Sequence, residues 1–349
     1  IRMLQDLTGI DPLTIPLDDP KVMSLFESTE ALGVTPADIG GCELGCLGVP
    51  EFGTDFSMGM VQEAKPTCFS DLIRIAGLSH GTDVWLNNAQ DLIKSGVATI
   101  STAICTRDDI MTYLIGKGVE SEKSFKIMEM VRKGKVAAGA CDKWPEWKED
   151  MLAHDVPDWY IDSCEKIKYM FPRAHAAAYV MMAWRIAYCK VYYPAAYYAA
   201  FFSIRAKAFN YKTMCFGRDR LEEELKRVQN LENPTPKDEA SVRDLRIVQE
   251  MYARGLDFVP IDLFKAQSRL FSVVDEKHIM PSFSSIDGLG ESAADSIVEA
   301  AKDGPFLSRD DFKTRAKVSQ TITDDLAEMG ILGDIPISNQ ISIFDFLPV

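Results

Sequence analysis

Between Gly77 and Trp85 the chain reads GLSHGTDVW, which sets Ser79, His80, Thr82 and Asp83 around Gly81. A turn of this kind offers a hydroxyl, an imidazole and a carboxylate to one ligand, and its central glycine lets backbone come close. Downstream, Arg107, Lys117, Lys123, Arg132, Lys133 and Lys135 flank the next two helical patterns. Guanidinium forks and ammonium groups of this density suit phosphate oxygens. His175 and Tyr179 stand four residues apart just after Arg173, so on a helix they share a face.

Other chemistries lack their parts. No Asp-x-Asp pair occurs, so carboxylates that converge on two ions about 3.5–4 Å apart have no evident source. The eight cysteines contain no CxxC and no Cys/His group at zinc spacing; Cys42 and Cys46 are the closest pair. We therefore expect no metal site and a reducing, cytoplasmic setting. A helical enzyme using His80 with Asp83, or His175, as acid and base would lack a nucleophile to act on.

Charge placement points further. The chain of 349 residues carries 38 Lys and Arg against 52 Asp and Glu, a net −14, which excludes a generally basic nucleic-acid coat protein. Yet from Lys166 to Lys207 there are seven cations (Lys166, Lys168, Arg173, Arg185, Lys190, Arg205, Lys207) and no carboxylate, leaving −21 for the rest. Tyr169, Phe171, Tyr179 and Trp184 interleave with them, and seven further rings follow, ending at Tyr198, Phe201 and Phe202. Cations among aromatics suit a polyanion that presents flat rings, and Arg185 and Lys190 are candidate DNA contacts. Arg185, Lys190 and Pro194 interrupt this apolar run, which predicts a buried helix kinked at Pro194 rather than a membrane span.

The elements that must carry these groups are mainly helical. Residues 1–65 alternate short apolar runs with Pro and Gly, predicting short helices and loops. FSDLIRIAGLSH, WLNNAQDLIKSG, RDDIMTYLIGKG and SEKSFKIMEMVRKGK follow with apolar spacing of three and four, and Gly77, Gly96, Gly118 and Gly134 fall at C-cap positions. Residues 136–158 read as a connection with one short helix, and 211–230 and 236–255 as charged amphipathic helices. Residues 258–283 read as β-rich or irregular. Gly288-Leu289-Gly290 then opens a helix, and two more helices follow. A glycine hairpin at a helix N-terminus exposes amides to a phosphate, the logic of a helix-hairpin-helix unit that grips duplex backbone. At the end, Gln340, Ile341, Ser342, Ile343 and Phe344 have the make-up of a peptide that plugs an apolar groove.

Five segments together carry a resemblance: GLSHGTDVWLNNAQ, RDDIMTYLI, FKIMEMVRKGK, DVPDWYIDSCEKIKYMFPRAHAAAYVMMAWRIAY and the tail QISIF. In this order they resemble the C-terminal third of the PolC-type DNA polymerase III alpha subunits, bacterial C-family replicative polymerases. The resemblance implies a helical fingers domain over 1–207, a helical and mixed duplex-binding region over 208–335 with the helix-hairpin-helix at about 284–335, and a clamp-binding tail over 336–349. It implies that Ser79, His80 and Gly81 border a nucleotide pocket and that Arg107, Arg132 and Lys133 meet the triphosphate. Lys168, Tyr169, Phe171, Arg173, His175 and Tyr179 would line the nascent base pair. The partners implied are primer-template DNA, dNTP, the sliding clamp (beta subunit) and other replisome subunits, with no membrane. A chain opening on Ile1 reads as a fragment, so the palm with its Mg²⁺ is expected upstream and the fragment alone is expected to be inactive. Residues 135–150 are longer than the family pattern, and FDFLPV extends the tail. The alternative is a stand-alone DNA-binding adaptor tethered to the clamp.

Overall fold

A computed structural model describes residues 1–338; the clamp-peptide residues Gln340, Ile341, Ser342, Ile343 and Phe344 lie outside the described residues. The fold is mainly α, with one small sheet among the described residues. The chain packs into two units. The first comprises Ile1, Asp11–Pro36 and Gly41–Val191, and the second Arg2–Ile10, Ala37–Gly40 and the residues from Tyr192 onward. Among the described residues no helix is long and apolar enough to cross a membrane.

The first unit begins with short helices, Pro12–Thr14, Pro20–Ser24 and Glu30–Leu32, before Asp55–Ala64. Proline at the first position of two of them follows an aspartate whose carboxylate accepts an amide, Asp11 from Leu13 and Asp19 from Val22. Its larger helices are Phe69–His80, Arg107–Gly116, Ser121–Arg132, Trp144–Ala153, Asp158–Lys166 and Arg173–Tyr192. Leu72, Ile75, Ile110, Leu114, Ile127, Val131, Ile161 and Val180 are buried, each side chain contributing about 1.5–3 kcal/mol. The Trp184 indole N–H donates to the Pro16 carbonyl at 2.7 Å, so the N-terminal segment closes over this core.

Three local expectations are corrected. Gly77 is not a C-cap: it lies inside Phe69–His80, where a Cβ would stand 2.6 Å from Thr106 Cγ2 and 2.7 Å from the Cys105 carbonyl oxygen. The missing side chain lets the 105–106 segment pack on the helix. WLNNAQDLIKSG is helical in the α sense only over Gln90–Lys94; Trp85–Ala89 forms a wide turn with Asn87 at φ +56°. Asn88 there is buried and its amide donates to the Asp83 and Ser163 carbonyls, while Ser163 Oγ donates to Asn88 Oδ1 at 2.6 Å. This polar network overrides the helical period. The helix before Pro194 ends at Tyr192 and a new one, Pro194–Ile204, starts after Tyr193, at φ −135° and ψ 58°, so the expected kink is a break that also divides the units.

In the second unit the helix Arg2–Thr8 packs on Pro194–Ile204. Arg218–Gln229 and Pro236–Ala253 follow. Two buried acids of Pro236–Ala253 serve as fixed acceptors: Asp244 takes the Lys207 and Ala208 amides at 2.8 Å each, and Glu250 takes the Tyr198 hydroxyl at 2.6 Å. The sheet has the order β1 (Asp257–Phe258), β3 (His278–Met280), β2 (Ser272–Val273); β1 is parallel and β2 antiparallel to β3. Glu291–Lys302, Arg309–Ala316 and Gln320–Glu328 close around Phe283, Ile297, Phe312 and Leu326.

Candidate functional site

The segment Lys168–Arg173 joins three parts of the first unit through its backbone. Thr82 N donates to the Tyr169 carbonyl at 2.9 Å and the Lys168 amide returns a bond to Thr82 O at 3.1 Å, an isolated antiparallel bridge. The Met170 amide reaches the Arg132 carbonyl at 3.2 Å, the Phe171 carbonyl accepts from the Arg107 amide at 3.1 Å, and the Arg173 amide donates to Asp108 Oδ2 at 2.7 Å. Gly81 is required here, since a Cβ would lie 3.0 Å from the Tyr169 carbonyl oxygen and drive into Val84. Two glycine-dependent close approaches thus frame the segment, the second at Gly134, at φ +67° with Lys168 backbone pressed on it.

On this frame four rings form a row. His80 stacks on Phe171 at 5.0 Å between centroids and 30° between planes. Phe171 meets the edge of His175 at 4.8 Å, and His175 meets Tyr179 at 4.8 Å. The i, i+4 spacing of the last pair on Arg173–Tyr192 delivers that contact. His175 and Tyr179 are exposed, so the row is open to solvent on its helical end. Glu51, at φ +70°, places its carboxylate 2.5 Å from His80 Nε2. Sequence reading missed Glu51, which sits 29 positions away in an unpatterned loop. It also missed Arg74 and Asp109, although a cation inside the apolar run FSDLIRIAGLSH was a usable signal.

The cations divide by environment. Lys168 pairs with Asp83 at 2.8 Å, an exposed pair whose hydrogen bond raises the lysine pKa. Arg173 stands 3.6 Å from Asp109 and 3.3 Å from Ser70 Oγ. Arg132 and Lys133 converge on Glu129, Arg132 through two nitrogens and Lys133 at 2.9 Å. The Arg132 hydrogen bond, aided by Lys133, holds the Glu129 carboxyl down at about 2. Its contribution to stability is therefore complete above the unfolded carboxylate value of about 4.3 and is lost as pH falls from there through about 2. Arg132→Gln will bring Glu129 back toward the ordinary carboxylate range and remove that acid-side loss. A carboxyl-carbon NMR titration reads this directly; ordinary titration of Glu129 in the native chain would refute the pairing.

Other expected ligands sit differently. Ser79 Oγ donates back to the Ala76 carbonyl of its own helix at 2.9 Å. Arg185 is half-buried, with Nε enclosed and lacking a hydrogen-bond partner among the described residues. Lys190 does not face solvent, contrary to its reading as a DNA contact: it is fully buried and its ammonium donates to the Gly45 and Leu47 carbonyls at 2.8 and 2.6 Å. In the second unit Gly288 adopts φ +84° with open space around it, Leu289 is buried, and Gly290 caps Glu291–Lys302. Arg269 bridges Glu291 at 2.7 Å and Asp295 at 2.5 Å, offsetting the two acids in the opening turns of that helix. Arg315 donates to the carbonyls of Ala300, Gly304 and Pro305 and lies 4.3 Å over the Phe306 ring, fastening the next helix to the hairpin.

Residues 1–155 match the family model for the bacterial DNA polymerase III alpha subunit finger domain, and residues 255–340 match a helix-hairpin-helix motif. That succession defines the class, a polymerase III fingers unit followed by a helix-hairpin-helix unit. The chain is 49% identical to the PolC-type DNA polymerase III of Caldanaerobacter subterraneus subsp. tengcongensis, 51% identical to that of Streptococcus pneumoniae and 50% identical to that of Streptococcus thermophilus. Each similarity covers 99% of this chain and 24% of the relative. The chain belongs to the PolC-type DNA polymerase III family and spans about a quarter of the length of these relatives.

Proposed function

We propose that the chain is the nucleotide-positioning and duplex-holding part of a replicative DNA-directed DNA polymerase. The observation that carries the reading is the ring row His80–Phe171–His175–Tyr179, set beside Arg107, Lys168 and Arg173 in a chain about half identical to PolC-type polymerases. An incoming dNTP would rest its base or sugar on the rings, and the neighbouring cations would neutralise its phosphates. In this reading residues 1–207 act as fingers, Gly288–Gly290 and the helices after it hold primer-template backbone, and 336–349 dock on the sliding clamp. Lys190 supports the fingers from within and Arg185 remains a candidate DNA contact. Mg²⁺ and its carboxylates belong to other parts of the polymerase, which the greater length of the relatives leaves room for. Among the described residues no cluster of His, Cys, Asp or Glu is disposed to hold a metal.

The chain should bind primer-template duplex with log affinity falling linearly against log salt, by roughly 0.9 per phosphate contacted. Fluorescence anisotropy across a salt series measures it, and a flat response would dispose of the duplex-holding assignment. In the same assay with labelled sliding clamp, Gln340→Ala with Phe344→Ala should abolish binding; unchanged affinity would remove the tail from the scheme.

A further inference from the structure

A cavity of about 350 Å³ adjoins the ring row through Arg173. Its lining includes Arg74, Arg173, Asp109, Tyr113, Trp159 and the exposed Ser101. The two guanidiniums share a single acid. Arg74 stands 3.7 Å and Arg173 3.6 Å from Asp109 Oδ1, both beyond hydrogen-bond range, while Oδ2 is taken by the Cys105 and Thr106 amides at 3.1 and 2.8 Å. Among the residues lining the cavity two positive charges stand over one negative, a surplus of one, in a recess where Arg74 is largely screened from water. Such a surplus favours an anion, and guanidinium forks favour phosphate. In the same lining, Tyr113 stacks on Tyr160 at 4.1 Å and 17°, and Trp159 meets Tyr160 edge-on at 5.5 Å. Inorganic anions have no use for an aromatic wall; a phosphate joined to a sugar and base does.

We propose that this cavity is a second nucleotide subsite, in which Arg74 and Arg173 hold a phosphate and Tyr113 with Trp159 walls the sugar or base attached to it. Asp109, fixed by two amides, keeps the arginines apart and aimed into the recess. The proposal rests on the nucleic-acid reading above and adds a site next to the ring row, with Arg173 at the junction of the two and Arg74 belonging to the subsite alone. The phosphate has two possible sources, a nucleotide of an unpaired strand or a free deoxynucleotide.

The test uses the whole chain with two probes, a fluorescein-labelled oligothymidylate and dTTP, and compares native protein with Arg74→Gln and, separately, Ser101→Glu. Ser101 lines the cavity and is exposed, so its variant reports on the site even if Arg74→Gln folds poorly. Each substitution should weaken binding about tenfold, the loss expected of one charge-assisted hydrogen bond or of one added repulsion. Arg74→Gln should also lower the oligothymidylate salt slope by about 0.7. Weakening of the oligothymidylate assigns the phosphate to a strand, and weakening of dTTP alone assigns it to a free nucleotide; either supports the subsite. Native protein that binds both probes while both variants match it overturns the subsite alone. Native protein that binds neither overturns the nucleic-acid reading and the subsite with it.

Discussion

Lys190→Met will lower the stability of the first unit by about 2–4 kcal/mol. Methionine fills the same volume, so the loss comes from two carbonyls, Gly45 and Leu47, deprived of a buried donor at 2.8 and 2.6 Å. Each unsatisfied acceptor costs about 1–3 kcal/mol, offset in part because the variant no longer desolvates an ammonium. The Gly45–Leu47 segment leads directly to the turn that carries Glu51, so the effect will reach the Glu51–His80 contact as well. All five tryptophans (Trp85, Trp144, Trp147, Trp159, Trp184) fall in the first unit, so urea unfolding followed by tryptophan emission isolates it from the second. An unchanged midpoint would mean that the two carbonyls find other donors.

Phe171→Ala will weaken deoxynucleotide binding by roughly tenfold to a hundredfold. Phe171 is the ring shared by His80 and His175, and without it the row splits into His80 alone and the His175–Tyr179 pair. A base that stacks on such a platform loses about 1–3 kcal/mol per ring removed. The hydrogen bond from the Arg107 amide uses the Phe171 carbonyl, which alanine retains, so the backbone frame should persist. Phe171→Trp should bind near the native level. Equilibrium titration of dTTP decides the matter; equal affinity for Phe171→Ala would move the base elsewhere.

How far the sequence disclosed all this depends on whether the signal was local. Helices with a clean three-four period, such as Ser121–Arg132 with Gly134 after it, were legible because side-chain pattern and cap agree. His175 and Tyr179 were legible as a pair for the same reason. Where a distant partner decides the outcome, local pattern misled: Asn88 bonds across to Ser163, so a helical run becomes a wide turn, and Gly77 serves the packing of residues 105–106 instead of ending a helix. Lys190 reads as a surface cation in any one-dimensional charge count, because nothing near it in sequence announces the two carbonyls 143 and 145 positions away. Glu51 and Asp109 became part of the site only through tertiary approach.

The same long reach governs when the site can exist. Arg173 to Ser70 spans 103 positions, Asn88 to Ser163 spans 75 and Asn87 to Lys166 spans 79, and each contact closes a long loop of the first unit. Loop-closure entropy must be met before such contacts return anything, so the helices 107–132 can form early while the row waits for residues 168–179. During synthesis from the N-terminus, the GLSHGT turn will therefore emerge as an incomplete surface. Ligand affinity should appear only after the helix Arg173–Tyr192 has joined it, which makes this helix the step at which the unit acquires its binding face.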